Sequence, residues 1–461
     1  MPLRVAARPT MARLMAAKEA KPDDLPLFIA YFALITLALV PIYFGAYQSL
    51  RTPAATLKAR KEKRKKSAKG DRREEEEEED DEDDEAVSTE TLTSSDAWLF
   101  PVIGSCVLFS MYLVFKFLDR KWVDRILGGY FFLVGIAASY KVVSSLAATV
   151  VGREKWKKLL KYRIKITHRL TDDEMEAERK ERAKEQEKKD GKASKAEPQG
   201  EIERIQTVLA SRFSTLHVLV LLPVSLIPVL TFHFTRHWLA SNFLALCLSL
   251  NAISLMGLDS FVTGSIMLGG LFLYDIFWVF GTEVMVSVAR NFEAGPIKIV
   301  FPKNLPQVAE YYAAQASSTH RTLAGTLALL ESAPKWQMTM LGLGDIVIPG
   351  IFIALALRFD QHLHLRSLSP SARLNFSRSQ TNFAKPYFTA TLTAYIAGLV
   401  TTMAVMHTFK AAQPALLYLS PACVLAVVIQ SLKRGEWAEL WKWKDEEGEE
   451  EDEGKKDSKR E

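Results

Sequence analysis

Nine apolar stretches, each close to twenty residues long, alternate with dense runs of charge along this chain. They cover about Leu25–Tyr47, Ala97–Phe117, Leu127–Val151, Leu216–Phe234, Trp238–Leu258, Val262–Val284, Trp336–Leu357, Tyr387–Met406 and Pro414–Leu432. The hydrocarbon core of a bilayer is crossed by about 20 such residues at ~1.5 Å of helical rise each. A soluble domain interleaves apolar and polar residues at helix or strand period, whereas this chain segregates them. Bulk values hide that segregation: the 461 residues are 48% hydrophobic, yet the mean hydropathy is only +0.02. The expectation is an all-α integral membrane protein with nine transmembrane helices, since one soluble core does not hold nine such runs. The first run exceeds the apolar region of a cleaved signal peptide and lacks a small-x-small site after it, so it counts as a span. Only Thr235–His237 separates the fourth and fifth runs, which predicts a tight hairpin.

An odd number of spans puts the termini on opposite sides. With the N-terminus outside the cytosol, the loops assigned to the cytosol hold 42 Lys and Arg and the others hold 15. Basic residues favour the cytosolic side. This orientation is expected although the N-terminal tail is itself basic (Arg4, Arg8, Arg13, Lys18, Lys21). Two loops carry like-charge blocks: Lys58–Arg73 is basic, twelve consecutive acids follow at Glu74–Glu85, and the stretch 152–212 is rich in Lys, Glu and Arg. The blocks of the first loop, 51–96, repel themselves and stay unfolded, and within the second, Thr171–Lys189 has the composition of a solvated helix. The connection between the sixth and seventh spans differs. Its segment Phe292–Pro302 alternates like a short strand, and an amphipathic helix is expected near Val308–Leu330. Cys106, Cys247 and Cys423 all fall within spans, as packed small hydrophobes rather than a disulfide framework.

Charge inside a bilayer is costly, so intramembrane acids ask for a function. Asp275 lies near the middle of the sixth span, and Asp345 lies about ten residues into the seventh. Consecutive helices are natural neighbours, so the two acids are expected to face each other. Two close carboxylates cannot both ionise and share one proton. One then takes a proton from water while the other donates to a carbonyl oxygen, which is the division of labour for peptide-bond hydrolysis without a metal. No metal-ligand spacing and no cofactor motif occurs in the spans; His233, His237 and His407 stand near span ends. Gly342 and Gly344 remove bulk beside Asp345, and Pro349 deletes a helix hydrogen bond one turn later. Tyr274 either brings a hydroxyl to the site or packs as an aromatic. Asp259 is expected to cap the sixth span, Glu283 to reach the interface, and Lys141 either to snorkel or to pair with an acid. Cation-coupled transporters also use intramembrane acid pairs, but they predict inverted repeats, which are not evident here. A non-catalytic scaffold that binds membrane helices is the third reading.

Local sequence separates these readings. Tyr274-Asp275, then Gly342-Leu343-Gly344-Asp345, then Gln413-Pro414-Ala415-Leu416 at the opening of the ninth span occur in that order. They resemble the YD, GxGD and PAL motifs of the signal peptide peptidase and presenilin superfamily, with the signal peptide peptidase branch closest over spans four to nine. The N-out, C-in orientation matches that branch and is the reverse of presenilin. The resemblance implies a presenilin-like fold, Asp275 and Asp345 as the catalytic pair, and Pro414, Ala415 and Leu416 as residues that shape the site and hold substrate. It implies action on transmembrane peptides such as leftover signal peptides and type II membrane segments in the endoplasmic reticulum, with a homo-oligomer and quality-control partners as further associations and no nucleic acid. The charged loops depart from the family pattern. The single glycosylation acceptor, Asn375-Phe376-Ser377, falls on the expected cytosolic side, and the tail lacks the second lysine of a dilysine signal beside Lys459. The resulting division is a lumenal tail at 1–24, spans one to three at 25–151 with a disordered cytosolic loop at 51–96, a charged cytosolic loop at 152–212, spans four to nine with the catalytic residues at 213–432, and a charged cytosolic tail at 433–461.

Overall fold

The computed structural model describes residues 25–52, 90–117, 120–152, 162–169, 205–213, 217–282, 284, 295–304, 337–369, 372–373, 376, 381–409 and 413–445. In chain order these form α1 (Leu25–Gln48), β1 (Glu90–Leu92), α2 (Ser94–Phe117), α3 (Arg120–Val151), β2 (Tyr162–Arg169) and β3 (Ile205–Phe213). A π-helical turn then leads into α4 (Leu222–Thr235), followed by α5 (Trp238–Leu255), β4 (Met256–Leu258) and α6 (Phe261–Asp275) with a π turn at Ile276–Phe280. After these come β5 (Lys298–Pro302), β6 (Met338–Gly342), α7 (Gly344–Ser367), α8 (Pro386–Phe409), α9 (Leu416–Arg434) and α10 (Trp437–Lys442).

Eight helices among the described residues are long and apolar enough to cross a membrane: α1, α2, α3, α5, α6 with its π turn, α7, α8 and α9. The expected fourth span is a shorter apolar stretch, Leu219–Thr235. Its junction with α5 is the anticipated tight hairpin. Arg236 turns the chain in a left-handed conformation (φ 52°), and the His237 ring caps α5 by accepting from the Leu239 N–H at 3.3 Å.

Several expected boundaries move because short extended segments adjoin the helices. The seventh span does not begin at Trp336. Residues Met338–Gly342 pair antiparallel with β5, which uses their backbone bonds, and the helix starts only at Gly344. It then runs past Leu357 to Ser367. The fifth span stops at Leu255, because Met256–Leu258 pairs in parallel with Glu90–Leu92. That pairing shifts the start of α6. Ser260, not Asp259, is its cap and accepts from the Thr263 N–H at 3.3 Å, while the Asp259 carboxylate accepts from the Ser260 hydroxyl at 3.0 Å. At α2, the Asp96 carboxylate accepts from both the Thr93 N–H at 2.9 Å and the Thr93 hydroxyl at 2.8 Å, closing the start of the helix. Within the stretch read as a charged loop at 152–212, β2 and β3 form an antiparallel pair. The acid run Glu74–Glu85, the helices expected at Thr171–Lys189 and near 308–330, Glu283 and the tail beyond Asp445 lie outside the described residues.

The chain divides into two units. One, Ser139–Ile227, contains the end of α3, the β2–β3 pair and the start of α4, where the Ser139 hydroxyl donates to the Ser225 carbonyl at 3.0 Å. Lys141 is exposed on α3.

The other unit is organised around α7, whose residues 349–361 are all buried. An α-helix that is apolar all round belongs inside other helices, and α1, α5, α8 and α9 supply them. On α1, Ala30, Leu34, Ala38, Ile42 and Ala46 recur every fourth residue and form one buried stripe. Lipid offers no hydrophobic drive between helices, so close approach of backbones matters. A Cβ on Gly350 would meet Ile253 of α5 at 2.5 Å, and one on Gly264 of α6 would meet Phe352 of α7 at 2.6 Å.

The far end of α7 is tied by polar groups. The Asp360 carboxylate, 2% exposed, accepts the Tyr387 and Phe388 N–H groups at 3.2 and 2.8 Å and so caps α8 from a neighbouring helix. Buried Arg358 pairs with Asp445, whose N–H donates to the Asp259 carbonyl at 2.7 Å. The segment after α10 thereby joins α7 to the start of α6.

Candidate active site

Asp275 is the last α-helical residue of α6 before the π turn Ile276–Phe280, and its side chain is buried. A π turn inside an α-helix redirects side chains and recurs at functional positions. Asp345 is the second residue of α7, two residues beyond the strand-to-helix turn at Leu343. Its depth is therefore set by where β6 ends, rather than by ten preceding residues of helix. The two carboxylates lie close enough for their charges to interact. All three motifs converge on this pair. The Asp345 carboxylate faces the Gly342 N–H, and a Cβ on Gly342 would sit 3.4 Å from its Oδ2. The Asp275 carboxylate faces the N–H of Leu416, the first residue of α9. First-turn N–H groups of a helix have no partner within it. Starting α9 at Leu416, behind buried Pro414 and Ala415, turns such a donor toward the acid.

The other motif residues take distinct positions. Leu343 is half-buried, donates its N–H to Ile297 at 2.9 Å, and accepts from Ile346 and Val347 to open α7. Gly344 is exposed, and a Cβ there would meet nothing within 4 Å, so the side of Asp345 next to it is open. Gln413 is half-buried at the entry to α9. The Tyr274 ring lies by Gly104 of α2 and is tilted against Trp278, whose indole N–H donates to Ser105 of α2 at 3.0 Å, while its hydroxyl stays within electrostatic reach of Asp275. Met338 and Met340, expected within a span, are strand residues, and Met340 is 56% exposed. Among the described residues no three His, Cys, Asp or Glu side chains group as metal ligands.

Two buried polar side chains at this site belong to no motif. Pro349 lacks the N–H that would bond the Asp345 carbonyl, and the Tyr395 hydroxyl of α8 donates to that carbonyl at 3.3 Å instead. The sequence discloses the vacancy, since proline stands four residues after Asp345, but not the donor that fills it. Asn242 of α5 donates to the Val300 carbonyl of β5 at 2.7 Å and accepts from the Val300 N–H at 2.9 Å. A lone asparagine in an apolar run marks a polar contact without naming its partner.

The family model described as signal peptide peptidase matches residues 84–447. Signal peptide peptidase of Mus musculus is 34% identical over 422 residues, covering 90% of this chain and 83% of that protein; the Homo sapiens protein is also 34% identical and is covered to 84%. Intramembrane protease 2 of Caenorhabditis elegans is 42% identical over 220 residues, 47% of this chain and 40% of that protein. No solved structure matches the chain. With a match across most of its length and its helices long enough to span a bilayer, the chain belongs to the signal peptide peptidase family of multi-pass membrane proteins and is an intramembrane peptidase.

Proposed function

We propose that the chain cleaves peptide bonds by an aspartyl mechanism, with Asp275 and Asp345 as the catalytic pair. The observation that carries this reading is the convergence of β6, α6, α7 and the start of α9 on two neighbouring carboxylates. One carboxylate takes a proton from water as the water oxygen attacks the scissile carbonyl carbon. The other, protonated, donates to the carbonyl oxygen, and the resulting diol collapses with transfer of a proton to the leaving nitrogen. Gly342, Leu343 and Gly344 hold Asp345 at the end of β6, and Gln413, Pro414, Ala415 and Leu416 shape the opposite wall.

A transmembrane substrate hides its peptide bonds in helical hydrogen bonds, so it must unwind before cleavage, and its freed backbone groups then need partners. Among the described residues the edge of β6 away from β5 pairs with no other strand, and it offers them by strand addition. Along β6 the bonds Leu343 N–H to Ile297 and Lys303 N–H to Gln337 set the alternation. Odd-numbered residues bond to β5, and Met338, Met340 and Gly342 turn their backbone groups outward. A substrate strand on that edge runs directly to Asp345. The substrates are leftover signal peptides and type II membrane segments, the membrane is that of the endoplasmic reticulum, and the N-terminus is lumenal with the C-terminus cytosolic. Basic-residue counts and the family support these last assignments.

The test is cleavage of a synthetic signal peptide by the purified full chain in detergent. Cleavage by the wild type and its loss in Asp275→Asn and Asp345→Asn is the expected result. Unchanged cleavage in either variant refutes the assignment. A wild type that cuts nothing while moving cations across a vesicle membrane favours the transporter.

A further inference from the structure

From the bonds around β5 we infer that Asn242 is a positioning residue that selects which bond of the substrate is cut. The inference rests on the strand-addition reading above. Asn242 is 5% exposed on α5, and its amide makes both bonds that a third strand would make to Val300, one to its N–H and one to its carbonyl. Val300 pairs with Met340 across the hairpin, at a position where the backbone groups of both residues point away from each other. On the β5 side those groups end on Asn242. On the β6 side they face outward, where a substrate strand would pair. Asn242 thus closes one edge of the hairpin and leaves the other open.

It also fixes the hairpin along its length. The register of two strands slips most readily in steps of two residues, because each step restores the same faces and the same bonding pattern. The amide of Asn242 fits one residue of β5 and comes from a helix packed against α7, through Gly350 and Ile253. The register of β6 is thereby referred to the helix that carries Asp345. If a substrate strand copies its register from β6, Asn242 determines which of its peptide bonds arrives at the aspartates.

The experiment uses the full chain in detergent with a synthetic signal peptide, and mass spectrometry of the products. Asn242→Leu removes both bonds at nearly constant volume. Asn242→Asp keeps the acceptor, loses the donor, and serves where the leucine variant fails to fold. The share of product cut two residues from the main site should rise about thirtyfold for Asn242→Leu, which loses both hydrogen bonds, and about fivefold for Asn242→Asp, which loses one, at roughly 1 kcal/mol per bond. Asn242→Gln, which keeps the amide, should restore part of the original pattern. If both variants cut at the wild-type bond and only turnover falls, Asn242 merely supports the fold and the inference is overturned.

A parallel arm separates this failure from failure of strand addition. The Met340 N–H points outward, so Met340→Pro removes a substrate bond and spares the hairpin. Normal cleavage by Met340→Pro overturns strand addition itself, and the inference falls with it. Loss of cleavage there, with cut sites unchanged in the Asn242 variants, overturns only the role of Asn242.

Discussion

The Tyr395 hydroxyl and Pro349 form a testable pair. Proline at 349 leaves the Asp345 carbonyl without its helical donor, and Tyr395, fully buried, fills the gap at 3.3 Å. Tyr395→Phe removes that donor and leaves a buried carbonyl unpaired, at a cost of about 1–3 kcal/mol. The bond is long, so the lower part of that range applies, about 1.4 kcal/mol, or roughly tenfold in an equilibrium or rate. Pro349→Ala restores a backbone N–H four residues after Asp345. In that background the carbonyl has a donor again, and removal of the hydroxyl should matter much less. The double-mutant cycle should therefore show a coupling of about 1 kcal/mol between positions 349 and 395. Thermal unfolding in detergent gives the effect on stability, and cleavage of a synthetic signal peptide gives the effect on the site. An equal loss from Tyr395→Phe in both backgrounds would show that the hydroxyl acts by packing alone and refute the argument.

Other substitutions probe the remaining ties. Asp275→Asn and Asp345→Asn should each lower cleavage by at least about a hundredfold, the scale of acid–base catalysis, with unchanged thermal unfolding. Asp445→Ala leaves buried Arg358 without its carboxylate and should destabilise the fold by about 3–5 kcal/mol, whereas Arg358→Met should cost less, because it removes the buried charge itself. Gly264→Ala drives a methyl to 2.6 Å from the Phe352 ring; the overpacking cost of about 1–3 kcal/mol should separate α6 from α7 and reduce cleavage more than it reduces thermal stability.

Much of this arrangement is written locally in the chain. Hydropathy finds the helices because lipid permits little else across its interior, and the acids stand out because charge there is rare. What local pattern misses is extended backbone in membrane-buried company. The segment Met338–Gly342 is apolar and continuous with α7, so a hydropathy window merges them; only its pairing with β5 makes it a strand. For the same reason Met256–Leu258 reads as the end of α5, and the cap of α6 falls one residue later than expected. Tyr395, Asn242 and Asp360 act on backbone groups 50, 58 and 27 residues away. Their partners depend on tertiary packing, to which no spacing rule applies. Leu416 is the intermediate case: its motif is visible, but only the start of α9 explains why its N–H matters.

The two aspartates stand on unlike supports. Of the residues in the spanning window, 78% are buried in α7 and 33% in α6, but none in α2, which lies beside α6 with Pro101 against Gly270. Asp345 is mounted on the interior of the protein, and Asp275 on a helix at its boundary with lipid. Bilayer thickness and lateral pressure act first on such boundary helices, which tilt to match the hydrocarbon. The separation of the two carboxylates is then partly an elastic quantity, and the surrounding lipid becomes a mechanical input to the chemistry.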